Sequence, residues 1–76
     1  MKLEYSKHWV KKQRFRTNIT AADIEYTIMN SAELRDKYWP DALNAVCRIP
    51  PSGRILKVVY KRKKEIFKII TAFWLD

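Results

Sequence analysis

Glycine and cysteine are almost missing from this chain: Gly53 and Cys47 are the sole examples in 76 residues, and His8 is the one histidine. A single glycine excludes the Gly-rich loops that cradle nucleotide phosphates, because those need several glycines at fixed spacing. A single cysteine excludes an internal disulfide, and with one histidine a Cys/His zinc site within one chain is unsupported. Cys47 sits in an apolar stretch and reads as a small buried hydrophobe. No apolar run approaches the roughly 20 residues of a membrane-spanning helix. The first residues, Met1-Lys2-Leu3-Glu4-Tyr5, lack the apolar run of a secretion signal. The expected setting is cytoplasmic, with no membrane partner and no metal or other cofactor.

Acidic residues are scarce relative to basic ones: 8 Asp and Glu stand against 16 Lys and Arg, a formal charge of +8. Such an excess does not choose a fold, but it concentrates phosphate-bearing partners near the surface and speeds their encounter. A solvated basic surface that serves solubility is the plain alternative. The charge, however, is segregated. Residues 1–16 carry Lys2, Lys7, Lys11, Lys12, Arg14 and Arg16 against Glu4. Residues 17–41 are mildly acidic, and the chain from 42 onward is basic again through Arg48, Arg54, Lys57, Lys61, Arg62, Lys63, Lys64 and Lys68. Hydrophobic residues reach 47%, which places the chain among globular rather than disordered sequences. No linker or repeat divides it, so a single domain over 1–76 is expected, with one modest core.

Ser6 can cap a helix over about 7–15, where neither Pro nor Gly intervenes. Its apolar stripe is thin, and Trp9 is the natural anchor. Thr20, with Ile19 before it and Asp23 three residues on, makes a stronger helix start. Ile24, Thr27 and Ile28 then fall on one face of a helix running to about Ser31, with acidic residues in its first turn where the helix dipole favours them. Pro40 breaks the next segment, leaving 34–39 as a short strand or an irregular arm. Ala45–Ile49, Arg54–Lys61 and Ile66–Trp74 read as strands, separated by the Pro50-Pro51-Ser52-Gly53 loop and a turn at 61–65.

For the last two strands, period-two parity about a turn at Lys63 and Lys64 assigns the faces. Leu56, Val58, Tyr60, Phe67, Ile69, Thr71 and Phe73 share one side, almost wholly apolar. Lys57, Val59, Lys61, Lys68, Ile70, Ala72 and Trp74 share the other. The expected fold class is α+β: two N-terminal helices packed on an antiparallel, three- to four-stranded meander sheet.

This inventory suits one cofactor-free reaction, RNA cleavage by attack of the ribose 2′-hydroxyl on the adjacent phosphate. That chemistry needs an acid, a base and cations to stabilise the charge on phosphorus. Imidazole as a group titrates near neutral pH, which makes His8 the proton-transfer candidate. Arg54 and Lys57 could hold the scissile phosphate, and Thr71 could bond a phosphate oxygen or orient His8. Lys11, Lys12, Arg14, Arg16, Lys61 and Lys68 could contact the RNA backbone. Tyr60 and Phe73 could stack on a base. Each has a structural alternative: a polar residue near the chain start for His8, solvated helix and strand surfaces for the cations, a β-former for Thr71, core packing for Tyr60 and Phe73.

The order of features also resembles a known group. His8 is followed by Lys12 and Arg16 at four-residue steps, and Ile19-Thr20 opens the second helix. Gly53-Arg54-Ile55-Leu56-Lys57-Val58-Val59-Tyr60 and Ile69-Ile70-Thr71-Ala72-Phe73 come later. Together they resemble a small prokaryotic domain family that is similar to the RelE-like toxins and to the wider barnase–EndoU–colicin–RelE group of metal-independent ribonucleases. The resemblance implies a RelE-like domain over nearly the whole chain, endoribonuclease activity of the toxin–antitoxin type, and an acidic antitoxin as partner. By position it implies catalytic roles for His8, Arg54, Lys57 and Thr71. This chain departs from the family at Thr17-Asn18, where a glycine is usual. Two other readings stand beside it. One is a non-catalytic nucleic-acid-binding module. The other is an interaction protein that docks a partner, or a second copy as a homodimer, through Trp39 or Trp74.

Overall fold

The computed structural model describes residues 2–13 and 18–75, and within them not the side chains of His8, Lys12 and Gln13. The chain begins with a strand, β1 (Lys2–Tyr5), before helices α1 (Lys7–Gln13) and α2 (Ala21–Met29). A two-residue strand β2 (Leu34–Arg35) comes next, then β3 (Leu43–Ile49), β4 (Arg54–Lys63) and β5 (Ile66–Trp74). All five strands form one sheet in the order β1-β5-β4-β3-β2. β2 to β5 pair antiparallel with their neighbours, whereas β1 lies parallel to β5, with Leu3 opposite Phe67 and Tyr5 opposite Ile69.

This corrects the expected fold. The sheet is mixed and five-stranded, not an antiparallel meander of three or four, and the chain opens with a strand rather than a helix. The helices are short, seven and nine residues. The physical reason is that β1 spans four residues, too few for a period-two pattern to stand out. Its partner lies more than sixty positions away, so no local signal announces the pairing.

Local chemistry sets the helix starts. The Ser6 hydroxyl accepts from the Trp9 amide at 3.1 Å and opens α1. Trp9 then reaches the core with 1% exposure and stacks on Tyr5 at 6.3 Å between centroids. At α2 the Thr20 hydroxyl accepts from the Asp23 amide and the Asp23 carboxylate accepts from the Thr20 amide, a reciprocal box worth about 1 kcal/mol. Ile24, Thr27 and Ile28 are its buried face, as their spacing predicts, and the Thr27 hydroxyl donates to the Asp23 carbonyl. Both helices cover one side of the sheet. There Trp9, Ile19, Ile24 and Ile28 meet Ala45, Leu56, Val58, Tyr60, Phe67, Ile69 and Ala72. Cys47, expected to be buried, is only half-buried.

A bulge in β5 changes which residues face the helices. Tyr60 pairs with Ile69, but Val59 pairs with Thr71, so Ile70 is an extra residue with no opposite number. Ser6 engages the irregularity: its amide donates to the Ile69 carbonyl at 2.9 Å and its hydroxyl donates to the Ile70 carbonyl at 3.1 Å. One inserted residue reverses the alternation beyond it. Ala72 and Trp74 therefore join the helix-covered core, and Thr71 and Phe73 move to the opposite, open face. Strict parity predicts the reverse for all four. Ile70 itself packs with Ala42 and Val59 in a small second cluster beneath the loop between β2 and β3.

Candidate nucleic-acid interface

The open face of β4 and β5 carries Lys57, Lys61, Lys68, Thr71 and Phe73, and the loop over 36–42 overhangs it. That loop is fixed by its own backbone chemistry. The Asp36 carboxylate accepts from the amides of Tyr38 and Trp39 at 2.9 Å each, an Asx-type turn. The Asp36 amide donates to the Ala42 carbonyl at 3.0 Å, and the Ala42 amide donates to the Trp39 carbonyl at 2.9 Å. The two amide bonds hold the Asp36 carboxyl below the usual carboxylate range, with Asn44 and Lys57 adding to the effect. Ala42, fully buried in the second cluster, pins the end of the loop to the sheet.

The turn closes the backbone that carries two exposed aromatics. Tyr38 is 86% exposed and Trp39 47% exposed. Both rings leave aromatic surface in water on a loop closed by backbone hydrogen bonds, and neither belongs to the core.

Three hollows run side by side along this face. One, of about 280 Å³, is lined by Asp36, Tyr38, Trp39, Lys57, Thr71 and Phe73 among others. Here the Lys57 ammonium lies 5.8 Å from the centre of the Phe73 ring. Trp39 is shared with a second hollow of about 410 Å³, where Lys61 and Lys68 flank Ile70 and the Asp41 carboxylate. The third, about 430 Å³, shares Lys61 and Lys68 and continues past Arg62 and Lys63 to the β4–β5 turn. From Lys57 to Lys63 the track covers six strand steps, about 20 Å. Asp41 bonds Lys61 at 3.0 Å, and that contact holds its carboxyl below the ordinary value.

The residues singled out from sequence divide between the two sides of the sheet. Lys57, Lys61, Lys68 and Thr71 line the open face. Arg54 lies on the helix-covered side, its guanidinium 4.4 Å from the centre of the Trp74 ring. With the Asn18 amide turned so that its oxygen faces them, that oxygen accepts from Arg54 Nη1 and Trp74 Nε1 at 3.1 Å each. Three-residue separation on one strand puts Arg54 and Lys57 on opposite faces, so they do not meet around one phosphate. His8 and Lys12 belong to α1 on the helix side, with side chains outside those described, and Lys11 is exposed on the same helix. Arg14 and Arg16 lie outside the described residues. Tyr60 is fully buried and is core, whereas Phe73 stands on the open face. Trp74, offered from sequence as a dimer contact, packs against the core.

Sequence reasoning missed Asp36 and Tyr38. The signal is Asp36-Lys37-Tyr38-Trp39-Pro40: an aspartate two and three residues ahead of paired aromatics, closed by proline, is an Asx-turn pattern. Among the described residues no group of three His, Cys, Asp or Glu side chains stands together to hold a metal, and no helix is long and apolar enough to cross a membrane. No protein-family model, curated protein or solved structure matches the chain.

Proposed function

We propose that the open face binds single-stranded RNA, with bases stacked on Tyr38, Trp39 and Phe73 and phosphates met by Lys57, Lys61 and Lys68. The observation that carries this reading is the aromatic pair fixed by Asp36 directly beside a line of lysines on an open sheet face. Stacking accepts any base, and a cationic groove tracks the backbone, the two ingredients of single-strand binding. An acidic partner protein of the antitoxin kind would compete for the same lysines.

The ribonuclease reading implied by the resemblance needs His8, Arg54, Lys57 and Thr71 at one phosphate. The separation of Arg54 from Lys57 and Thr71 by the sheet favours binding without cleavage. The test is fluorescence anisotropy of end-labelled single-stranded RNA, its duplex form and the same strand with Trp39→Ala. Binding should prefer the single strand, and Trp39→Ala should lower affinity about tenfold, as expected for one lost stacking contact. The RNA should stay intact in EDTA. RNA fragmentation by the wild type that vanishes in His8→Ala would overturn the non-catalytic reading in favour of the ribonuclease.

A further inference from the structure

Backbone hydrogen bonding leaves one edge of the sheet open. β2 pairs with β3 only through Leu34 opposite Asn44 and Arg35 opposite Leu43. β3 continues over 45–49, paired with β4 on its other side throughout. The Asp36 amide donates to the Ala42 carbonyl, so even-numbered residues along this stretch turn their backbone groups toward the β2 edge. By that alternation the N–H and C=O groups of Val46 and Arg48 point off the sheet. Among the described residues they have no backbone partner there. The Cys47 thiol, 3.5 Å from the Arg48 carbonyl, is a weak substitute. Such a row of donors and acceptors is a template for an added strand.

Charge selects which strand. β2, β3 and β4 carry one, one and five Lys and Arg respectively, and no Asp or Glu. Arg48 is exposed on the edge itself, and its Nη1 donates to the Gly53 carbonyl at 2.7 Å. That bond ties the guanidinium to the loop that ends β3 and uses one of its five N–H donors. A second copy paired antiparallel over 45–49 would bring two Arg48 side chains to diagonal positions on one face, about 7–8 Å apart, like charge against like. An acidic strand meets the same guanidinium with opposite charge.

Side-chain alternation gives the rest of the pattern. Val46, opposite Lys57, and Arg48 share the open face, where Val46 is 37% exposed. Cys47 lies on the helix side, half-buried between the core residues Ala45 and Ile49.

We propose that the β3 edge over 45–49 accepts an extended acidic segment of another protein as an antiparallel sixth strand. A carboxylate of that segment sits opposite Arg48, and apolar side chains sit opposite Cys47 and Val46. The interface uses backbone groups that RNA binding on the open face leaves aside.

The test uses the wild-type chain and the capped, fluorescein-labelled peptide Asp-Thr-Glu-Val-Val-Thr-Asp, whose glutamate falls opposite Arg48 in this register. Anisotropy is measured at about 150 mM salt, where attraction between exposed charges beyond about 8 Å is screened. Two isomers carry the same charge and two N-methyl groups. In one, the methylated amides are those of the glutamate and the second valine, which face β3. In the other they are those of the first valine and the second threonine, which face away. The first isomer should bind about thirtyfold more weakly than the parent, for two lost backbone hydrogen bonds. The second should bind like the parent. Glutamine for the peptide's glutamate should cost up to about fivefold, and Arg48→Gln should erase that difference. Equal affinity of the two isomers would reduce the interaction to simple ionic attraction and overturn the added strand. A reversed preference, or no binding of the parent peptide, overturns it as well. So does sedimentation equilibrium showing a dimer of the chain alone that excludes the peptide, since the edge would then belong to a second copy.

Discussion

Salt dependence gives the sharpest measure of how many phosphates the open face engages. Lys57, Lys61 and Lys68 are the lysines that line the two hollows sharing Trp39. On a single strand each phosphate contact contributes about 0.7 to the slope of log affinity against log salt. Three contacts predict a slope near −2, so a fourfold rise in salt from about 50 to 200 mM should weaken binding roughly twentyfold. Replacing any one of the three with Gln should reduce the slope by about 0.7. Lys61 has a distinguishing feature, because it must leave Asp41, 3.0 Å away, to meet a phosphate. Asp41→Asn should therefore raise affinity at every salt concentration, while Lys61→Gln should cost less affinity than Lys57→Gln or Lys68→Gln. The assay is anisotropy of a labelled single-stranded RNA titrated at several salt concentrations. A triple Lys→Gln variant that keeps a slope near −2 would refute the assignment and move the phosphate contacts to another surface, the basic helix α1 being the alternative.

Two further predictions concern stability. Trp9 is the anchor of α1, with 1% exposure, and Trp9→Ala should cost about 3–5 kcal/mol. At about 0.05–0.15 kcal/mol per residue, a domain of this length has only about 4–11 kcal/mol in all, so urea denaturation should show a variant at or near the edge of folding. At the β4–β5 turn Lys64 holds φ at 56°, a conformation unfavourable to side chains with a Cβ. Lys64→Gly should stabilise the hairpin by up to about 1 kcal/mol after glycine's own entropy cost, which corresponds to a rise in melting temperature of up to about 4–8 °C. A drop in melting temperature by calorimetry would show that the Lys64 side chain contributes more than its backbone strain removes.

The amino-acid sequence by itself determined the local pieces. Thr20 and Asp23 announce α2 because a capping box is satisfied within four residues. The Ile24, Thr27, Ile28 face, the Pro50–Gly53 loop, the start of β4 and the extent of β5 arise from short-range periodicity and turn chemistry in the same way, whereas β4 runs two residues past the expected end at Lys61. The lysines of the open face were legible as well, since Lys57, Lys61 and Lys68 precede the point where alternation breaks. Tertiary structure decided the rest. β1 exists as a strand because β5 offers it a parallel edge, a pairing without local trace. The Ile70 bulge, engaged by Ser6 from the far end of the chain, turned Thr71 and Phe73 outward and Trp74 inward. Arg54 and Lys57, three residues apart and grouped by chemistry, ended on opposite sides of the sheet, because strand alternation separates what sequence proximity joins. The candidate site thus depends on where one extra residue sits in a strand and on an aspartate that ties two aromatics to the sheet's open side, and both are set by contacts between segments distant in sequence or by a loop whose closure the sheet completes.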